Sequence, residues 1–374
     1  MVEHLYVHVP FCRARCAYCD FSSEPVGPHQ KAGRVEACVA ALRREIERAA
    51  PELSAQLETI YVGGGTPTVL PDELLLPLLR GLSARLASHG ELTVEAVPGT
   101  FDATRLRALA EAGANRLSLG VQSFSPRLRS ILGRGVTQGK LESALIALRE
   151  SGWRNWNLDL IFGIPGGTFA EALADVARAV AAGATHISLY DLTYTERFAI
   201  RLERRAGAGA RAEAAAFAEE HYADVVAALE GGGYRRYEVS NFALPGYECR
   251  HNEAYWRGAD YVGVGPSAVG TVEYERRTNP STVREYLAGT PPEIEVLTPD
   301  TKLFERAMLG LRTAEGVPEG EVAAVLDEAA VGQMVSQGYL RRACATLSMS
   351  PGGLDLSSAV LAAILRLPGG SHAT

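Results

Sequence analysis

Short β-branched, apolar runs alternate along this chain with longer segments of helical periodicity, and that alternation limits the fold more than any other feature. The runs are Leu5–Val9, Thr59–Val62, Leu92–Val97, Arg116–Val121, Asn157–Phe162 and His186–Leu192. Between the first two, Val35, Val39, Leu42 and Ile46 recur at i, i+4, i+7 and i+11, one face of a helix. Leu74–Leu86, Thr104–Ala112, Lys140–Ser151 and Ala170–Ala182 read in the same way, with Gly113, Gly152 and Gly183 placed to end helices. Strand–helix alternation of this kind requires a parallel sheet with right-handed crossovers. Six units within roughly 200 residues fit either a doubly wound sheet or an incomplete barrel, short of the about 250 residues that a closed eight-unit barrel takes. The expected fold is therefore α/β, a partial (β/α)6, TIM-like barrel with its site at the C-terminal ends of the strands.

Beyond the sixth run the pattern loosens. Arg204–Ala216 reads as a surface loop leading into a helix, Ala212–Leu229, and Tyr234–Phe242 as another strand. From about Pro291 the helices Lys302–Arg312, Glu319–Leu326 and Ala330–Gln337 precede a strand, Thr346–Ser350, and a last helix, Ser357–Leu365. This predicts a core barrel over 1–230, a barrel-completing segment over 231–290 and a small helical, winged-helix-like domain over 291–374. Modules of that last shape often bind DNA, but the net charge of −7 argues against a broad basic surface for nucleic acid and favours a packing or lid role. No run approaches the about 18 apolar residues of a membrane span, and no basic, then apolar leader precedes the first strand. The expectation is a cytoplasmic protein whose thiols stay reduced.

In that setting six cysteines are too sparse for a disulfide scaffold, yet three are clustered. Cys12-Arg13-Ala14-Arg15-Cys16-Ala17-Tyr18-Cys19 begins three residues after the first run, at the end of a strand where a site belongs. The C-x3-C-x2-C spacing places three thiolates on one loop. A [4Fe–4S] cluster has four irons, so three thiolates leave one iron open to a small chelating ligand. Structural zinc instead uses four ligands, usually as two separated pairs, and the remaining Cys38, Cys249 and Cys344 are scattered. Gly63-Gly64-Gly65-Thr66-Pro67 follows the second run and reads either as a tight turn or as a place where backbone N–H groups approach a ligand closely. Glu95, Gln122 and Asp159 stand in or at the ends of the third, fourth and fifth runs, and Arg134 follows the fourth. Buried carboxylates are costly unless partnered, so several at one barrel end suggest a polar site.

The triad resembles the hallmark of the radical S-adenosylmethionine enzymes. The stretch Leu5-Tyr6-Val7-His8-Val9-Pro10-Phe11-Cys12 is similar to the oxygen-independent coproporphyrinogen III oxidase group, which includes the HemW-type haem chaperones. That resemblance covers nearly the whole chain. It implies a [4Fe–4S] cluster on Cys12, Cys16 and Cys19. It also implies S-adenosylmethionine held by Tyr6, Tyr18, Gly64, Gly65, Thr66, Glu95, Gln122, Arg134, Asp159 and Thr193, with the glycine segment on the amino group of its methionine part. Within the group, the oxidases carry a fourth cysteine two residues after the triad, where this chain has Phe21, and an N-terminal extension before it. His251-Asn252-Glu253-Ala254-Tyr255-Trp256 matches the H-N-x-x-Y-W signature of the chaperone branch. That match implies haem bound near His251, Asn252, Tyr255 and Trp256. An imidazole suits an axial position, Tyr255 and Trp256 suit stacking, Arg250 suits a propionate, and Cys249 is a possible second contact. The chain departs from the group's pattern at Val97, at Val269 and Gly270, and over Thr193-Tyr194-Thr195-Glu196, all expected near the cofactor region.

The favoured reading is a haem-trafficking protein that carries a cluster, S-adenosylmethionine and haem or porphyrin for transfer to an acceptor protein. The alternative is an enzyme acting through a 5′-deoxyadenosyl radical, either a coproporphyrinogen III oxidase or, for example, a methyltransferase. A third, regulatory reading rests only on the C-terminal module. Neither the acceptor nor the oligomeric state is legible in the sequence.

Overall fold

The structure is a computed structural model, and it describes residues 1–27, 33–192, 194, 198–200 and 209–366. Among them, nine strands form one sheet: β1 (His4–Val9), β2 (Leu57–Gly64), β3 (Leu86–Ala96), β4 (Arg116–Gln122), β5 (Trp156–Phe162), β6 (His186–Asp191), β7 (Arg235–Arg236), β8 (Asn241–Ala243) and β9 (Val262–Val264). Their order is β9-β1-β2-β3-β4-β5-β6-β8-β7. Pairing is parallel from β9 through β6 and antiparallel at β8 and β7. The expected α/β partial barrel is the observed fold.

Alternation along each strand explains why the sheet is covered on one side and polar on the other. In β1, Leu5, Val7 and Val9 are fully buried in the main core beneath the helices. His4 and Tyr6 face inward, the first hydrogen-bonded with Thr59 at 2.9 Å and the second against the Tyr61 ring. The covering helices are α1 (Arg34–Ala49), α2 (Asp72–Ser83), α3 (Ala103–Glu111), α4 (Pro126–Ile131), α5 (Gln138–Ser151), α6 (Phe169–Ala182) and α7 (Ala210–Gly231). Side-chain oxygens of Asp102, Ser125, Thr137 and Thr168 cap α3 to α6, and Gly152 and Gly183 close α5 and α6 in left-handed conformation.

Three local expectations need correction. The helix expected to run to Leu86 stops at Ser83, because Leu86 already pairs with Leu57 and β3 is longer than its apolar stretch. Tyr234–Phe242 is not one strand. Buried Glu238 accepts the Ser240 N–H at 3.1 Å and turns the chain between β7 and β8. Helix α7 begins at Ala210, inside the stretch read as a loop, while 204–208 lie outside the described residues.

After β9, three strands, β10 (Val269–Val272), β11 (Glu275–Thr278) and β12 (Glu293–Val296), form a small antiparallel sheet. It runs across the division expected at 291, because β12 pairs with β11. A second apolar core follows, built from Ala307, Leu311, Val331, Leu347 and Ile364 among others, with Val239 packed against it. It joins five helices, Pro299–Gly310, Glu319–Val322, Glu328–Ser336, Pro351–Asp355 and Ser357–Ile364, to a three-stranded sheet that includes the Leu340–Ala343 strand missed in the sequence. No described helix is long and apolar enough to cross a membrane.

Candidate cluster and cofactor site

The cysteine loop is fastened at both ends. Phe11 is buried, and Phe11–Cys12 pairs with Glu24–Pro25, with Val26 N–H donating to the Cys12 carbonyl at 2.7 Å. Ala17 N–H donates to Leu132 O at 3.0 Å, and His8 Nε2 donates to Ser22 O at 2.8 Å. The three thiols are half-buried and line one cavity of about 490 Å³ at the C-terminal strand ends. Among the described residues no three His, Cys, Asp or Glu side chains converge on a single ion. Burial raises the Cys12 and Cys19 thiols, opposed at Cys12 by Thr66, whose Oγ1 lies 3.6 Å from Sγ. The donor set suits a cluster: sulfur ligands, a polar neighbour on two of them, and room above. Iron binding would displace the thiol protons, whatever their free affinity.

Gly63–Thr66 presses on this loop. Gly64 has φ 97, and a Cβ there would lie 2.4 Å from the His8 ring; one at Gly65 would lie 2.4 Å from Phe11 O. No other residue type fits. The N–H groups expected to cradle a ligand are already used. Gly64 N–H donates to Glu95 at 3.1 Å, Gly65 N–H to Val9 O at 2.9 Å and Thr66 N–H to Phe11 O at 2.7 Å. The segment therefore offers carbonyls rather than donors, which suits an ammonium group better than an anion.

Around the cavity stand Tyr18, Gly64, Gly65, Thr66, Glu95, Gln122, Arg134 and Asp159, all anticipated from the sequence. Arg134 donates to Cys16 Sγ at 3.5 Å and to Gly120 O, while its Nε is buried without a partner. Burial drives the Glu95 carboxyl up to about 7, with nearby Asp159 adding to the rise and the Tyr61 hydroxyl, 2.9 Å away, opposing it. Asp159 is also raised by burial, against Asn157, which donates at 2.6 Å. Gln122 adopts φ 74 at a register shift in β4, strain of the kind that collects at functional sites. Tyr6 does not line the cavity. It lies below, its hydroxyl 3.0 Å from His8 Nδ1. Thr193 lies outside the described residues. Sequence reasoning missed Tyr61, Ser118, Lys140 and Tyr190, which also line the cavity. The inward alternation of β2, β4 and β6 was the signal for Tyr61, Ser118 and Tyr190.

The H-N-x-x-Y-W segment is elsewhere. It forms helix α8 (Arg250–Trp256) across the N-terminal end of the barrel, and none of its residues lines the cavity. His251 is 1% exposed, with Nδ1 2.7 Å from Thr59 Oγ1 and Nε2 2.9 Å from the Tyr255 hydroxyl. Burial lowers its pKa to about 3. Glu91 receives the Arg250 and His251 N–H groups at 3.2 and 3.3 Å and the Cys249 thiol at 3.5 Å. Arg250, expected to meet a propionate, is paired with Glu58 and with His89 O. In this arrangement the imidazole is a buried, fully hydrogen-bonded plug, and the structure does not bring it to the cysteine loop. Of the departures, Val97 does line the cavity, but Val269 and Gly270 lie in the small sheet beyond β9.

Comparison with known proteins fits this geometry. Residues 6–179 match the radical SAM superfamily model. The chain is 36% identical over 335 residues to the heme chaperone HemW of Synechocystis, covering 86% of this chain and 80% of that protein. It is 36% identical over 371 residues to the Mycobacterium tuberculosis HemW, covering 96% and 94%. Against the Escherichia coli HemW the identity is 35% over 360 residues, covering 90% and 91%. The solved coproporphyrinogen III oxidase (HemN) of Escherichia coli shares the fold, with TM-score 0.79 at 20% identity over 96% of this chain and 88% of that one. The chain belongs to the radical SAM superfamily and, within it, to the HemW family.

Proposed function

We propose that this protein is a haem chaperone of the cytoplasm, carrying a [4Fe–4S] cluster and S-adenosylmethionine in the cavity at the C-terminal strand ends and handing haem to an acceptor protein. The observation that carries the reading is likeness over nearly the full length to heme chaperones, together with three half-buried thiols opening on one cavity. Cys12, Cys16 and Cys19 would hold the cluster. The Gly63–Thr66 carbonyls, with Glu95, would receive an ammonium group. Asp159 and Gln122 would face a ribose or base, and Arg134 would balance the charge of the thiolates. A bound cluster supplies one-electron chemistry at an iron left open by the protein. The loop, tethered by Val26, Ala17 and His8, would hold the three thiolates on one side of the cavity.

The test is anaerobic reconstitution of the full chain, with iron counting and absorbance spectra before and after haem addition. Cluster-loaded protein that binds haem and loses it to an apo-acceptor supports the chaperone reading. Formation of 5′-deoxyadenosine and a decarboxylated porphyrinogen under reducing conditions, without haem binding, sinks it in favour of the oxidase.

A further inference from the structure

If haem is the cargo, as the preceding reading holds, the structure leaves the question of where it sits. The N-terminal end of the barrel is closed. His251 uses both ring nitrogens, Arg250 is paired with Glu58, and Cys249 is fully buried against Glu91. Seating a tetrapyrrole there requires breaking each of these contacts.

The mouth of the cysteine-loop cavity has the opposite character. Arg13 and Arg15 are exposed, line the cavity and make no ion pair or side-chain hydrogen bond among the described residues. Lys140 on the far wall is likewise exposed and unpaired. Asp20 is the exposed carboxylate nearest them in sequence, and it too makes no ion pair among the described residues. These cations stand out on a chain of net charge −7. Beside them Phe21 is 65% exposed and borders the same opening. An exposed aromatic ring at the rim of an apolar-walled cavity marks a contact for a flat apolar partner. Val97, Pro98 and Ile161 line the same cavity.

We infer that haem docks over this mouth, with its propionates on Arg13 and Arg15 and its face against Phe21, so that it lies above the cluster rather than beside His251. The ligand chemistry is that of a planar apolar dianion: two carboxylates for two unpaired guanidiniums, and a ring face for an unpartnered aromatic. Phe21 occupies the position where the oxidases carry a further cysteine, so the residue that separates the branches stands at the proposed contact.

The experiment uses cluster-loaded full-length protein carrying Cys344→Ser, so that neither the loop thiolates nor the exposed Cys344 can ligate haem iron. Ferric haem and its propionate dimethyl ester are titrated by Soret absorbance against the parent, R13E/R15E, F21A and H251A, with iron content measured in each. The parent is expected to bind haem about tenfold more tightly than the diester, since two exposed charge pairs are involved. R13E/R15E is expected to abolish that preference at unchanged iron content, F21A to weaken both ligands alike, and H251A to leave the preference intact. Equal binding of acid and diester by the parent overturns the proposal, as does an undiminished preference in R13E/R15E. Unchanged haem affinity in R13E/R15E alongside impaired reduction by an acidic electron-donor protein reassigns the rim to a protein partner and also overturns it. A cluster-loaded parent that takes up no haem at all defeats the chaperone reading itself.

Discussion

The two ends of the barrel hold similar inventories of polar side chains and use them in opposite ways. At the N-terminal end, Glu91, Cys249, His251, Thr59 and Tyr255 are joined by hydrogen bonds, and Asn157, His186 and Tyr237 extend the network across the interior at 2.7 and 2.8 Å. At the C-terminal end the thiols are half-exposed, Gln122 is held at positive φ, and Glu95 stands near a second buried carboxylate. Polar groups that satisfy one another stabilise a fold, while polar groups left incomplete in a cavity await a ligand. A histidine-containing motif and a cysteine-containing motif thus look equally functional in sequence, but only one opens on unfilled space.

That contrast can be broken most decisively at the thiols. Cys16→Ala should abolish cluster retention on anaerobic reconstitution, read by iron content, with no loss of fold by circular dichroism; retention of the parent's iron would remove the site. At the closed end, Glu91→Ala strips four donors, Thr93 among them, of their acceptor and leaves buried Arg116, 4.0 Å away, uncompensated. A loss of about 3–5 kcal/mol in chemical denaturation is expected, with reconstituted iron per folded chain unchanged. His251→Ala should cost about 2–4 kcal/mol through a cavity and lost hydrogen bonds. Its folded pKa is depressed to about 3, so the parent loses stability as pH falls through the ordinary imidazole range, and H251A should lack that contribution.

Glu95→Gln probes the open end with the reverse sign. The folded carboxyl is raised to about 7, so the folded state binds the proton more tightly and the parent loses stability as pH rises from about 4.5 to about 7. E95Q should therefore gain on the parent above pH 7, by roughly 3 kcal/mol for a shift of that size, and converge with it near pH 4. Part of the slope should persist, because Glu238 is also raised to about 7 by burial. A stability difference independent of pH would show that Glu95 is not held in this state. Asp355→Asn touches neither end. It breaks the pair with Arg236 that ties the C-terminal core to β7, and should cost only about 1 kcal/mol.

Much of this was written in local pattern. The period of the apolar runs specified strands and helices, because burial beneath parallel sheet demands it, and the resulting order placed Cys12, Gly64, Glu95 and Gln122 at or just beyond strand ends, and Asp159 within the fifth strand, without any knowledge of contacts. The C-x3-C-x2-C loop was equally legible, since its chemistry depends on spacing along one short segment. What the sequence could not carry was direction and company. Whether the Gly64, Gly65 and Thr66 N–H groups face a ligand or the neighbouring segment depends on how closely β1 and the cysteine loop pack, and here Val9 at the end of β1 takes one, Phe11 of the loop another and Glu95 the third. Whether His251 meets a ligand or fills the barrel depends on Thr59, Glu91 and Tyr255, two of them more than a hundred residues away in the chain. Hydrophobic periodicity is a property of neighbours in sequence, but the saturation of a polar group is a property of neighbours in space, and only the tertiary structure decides which polar groups remain available.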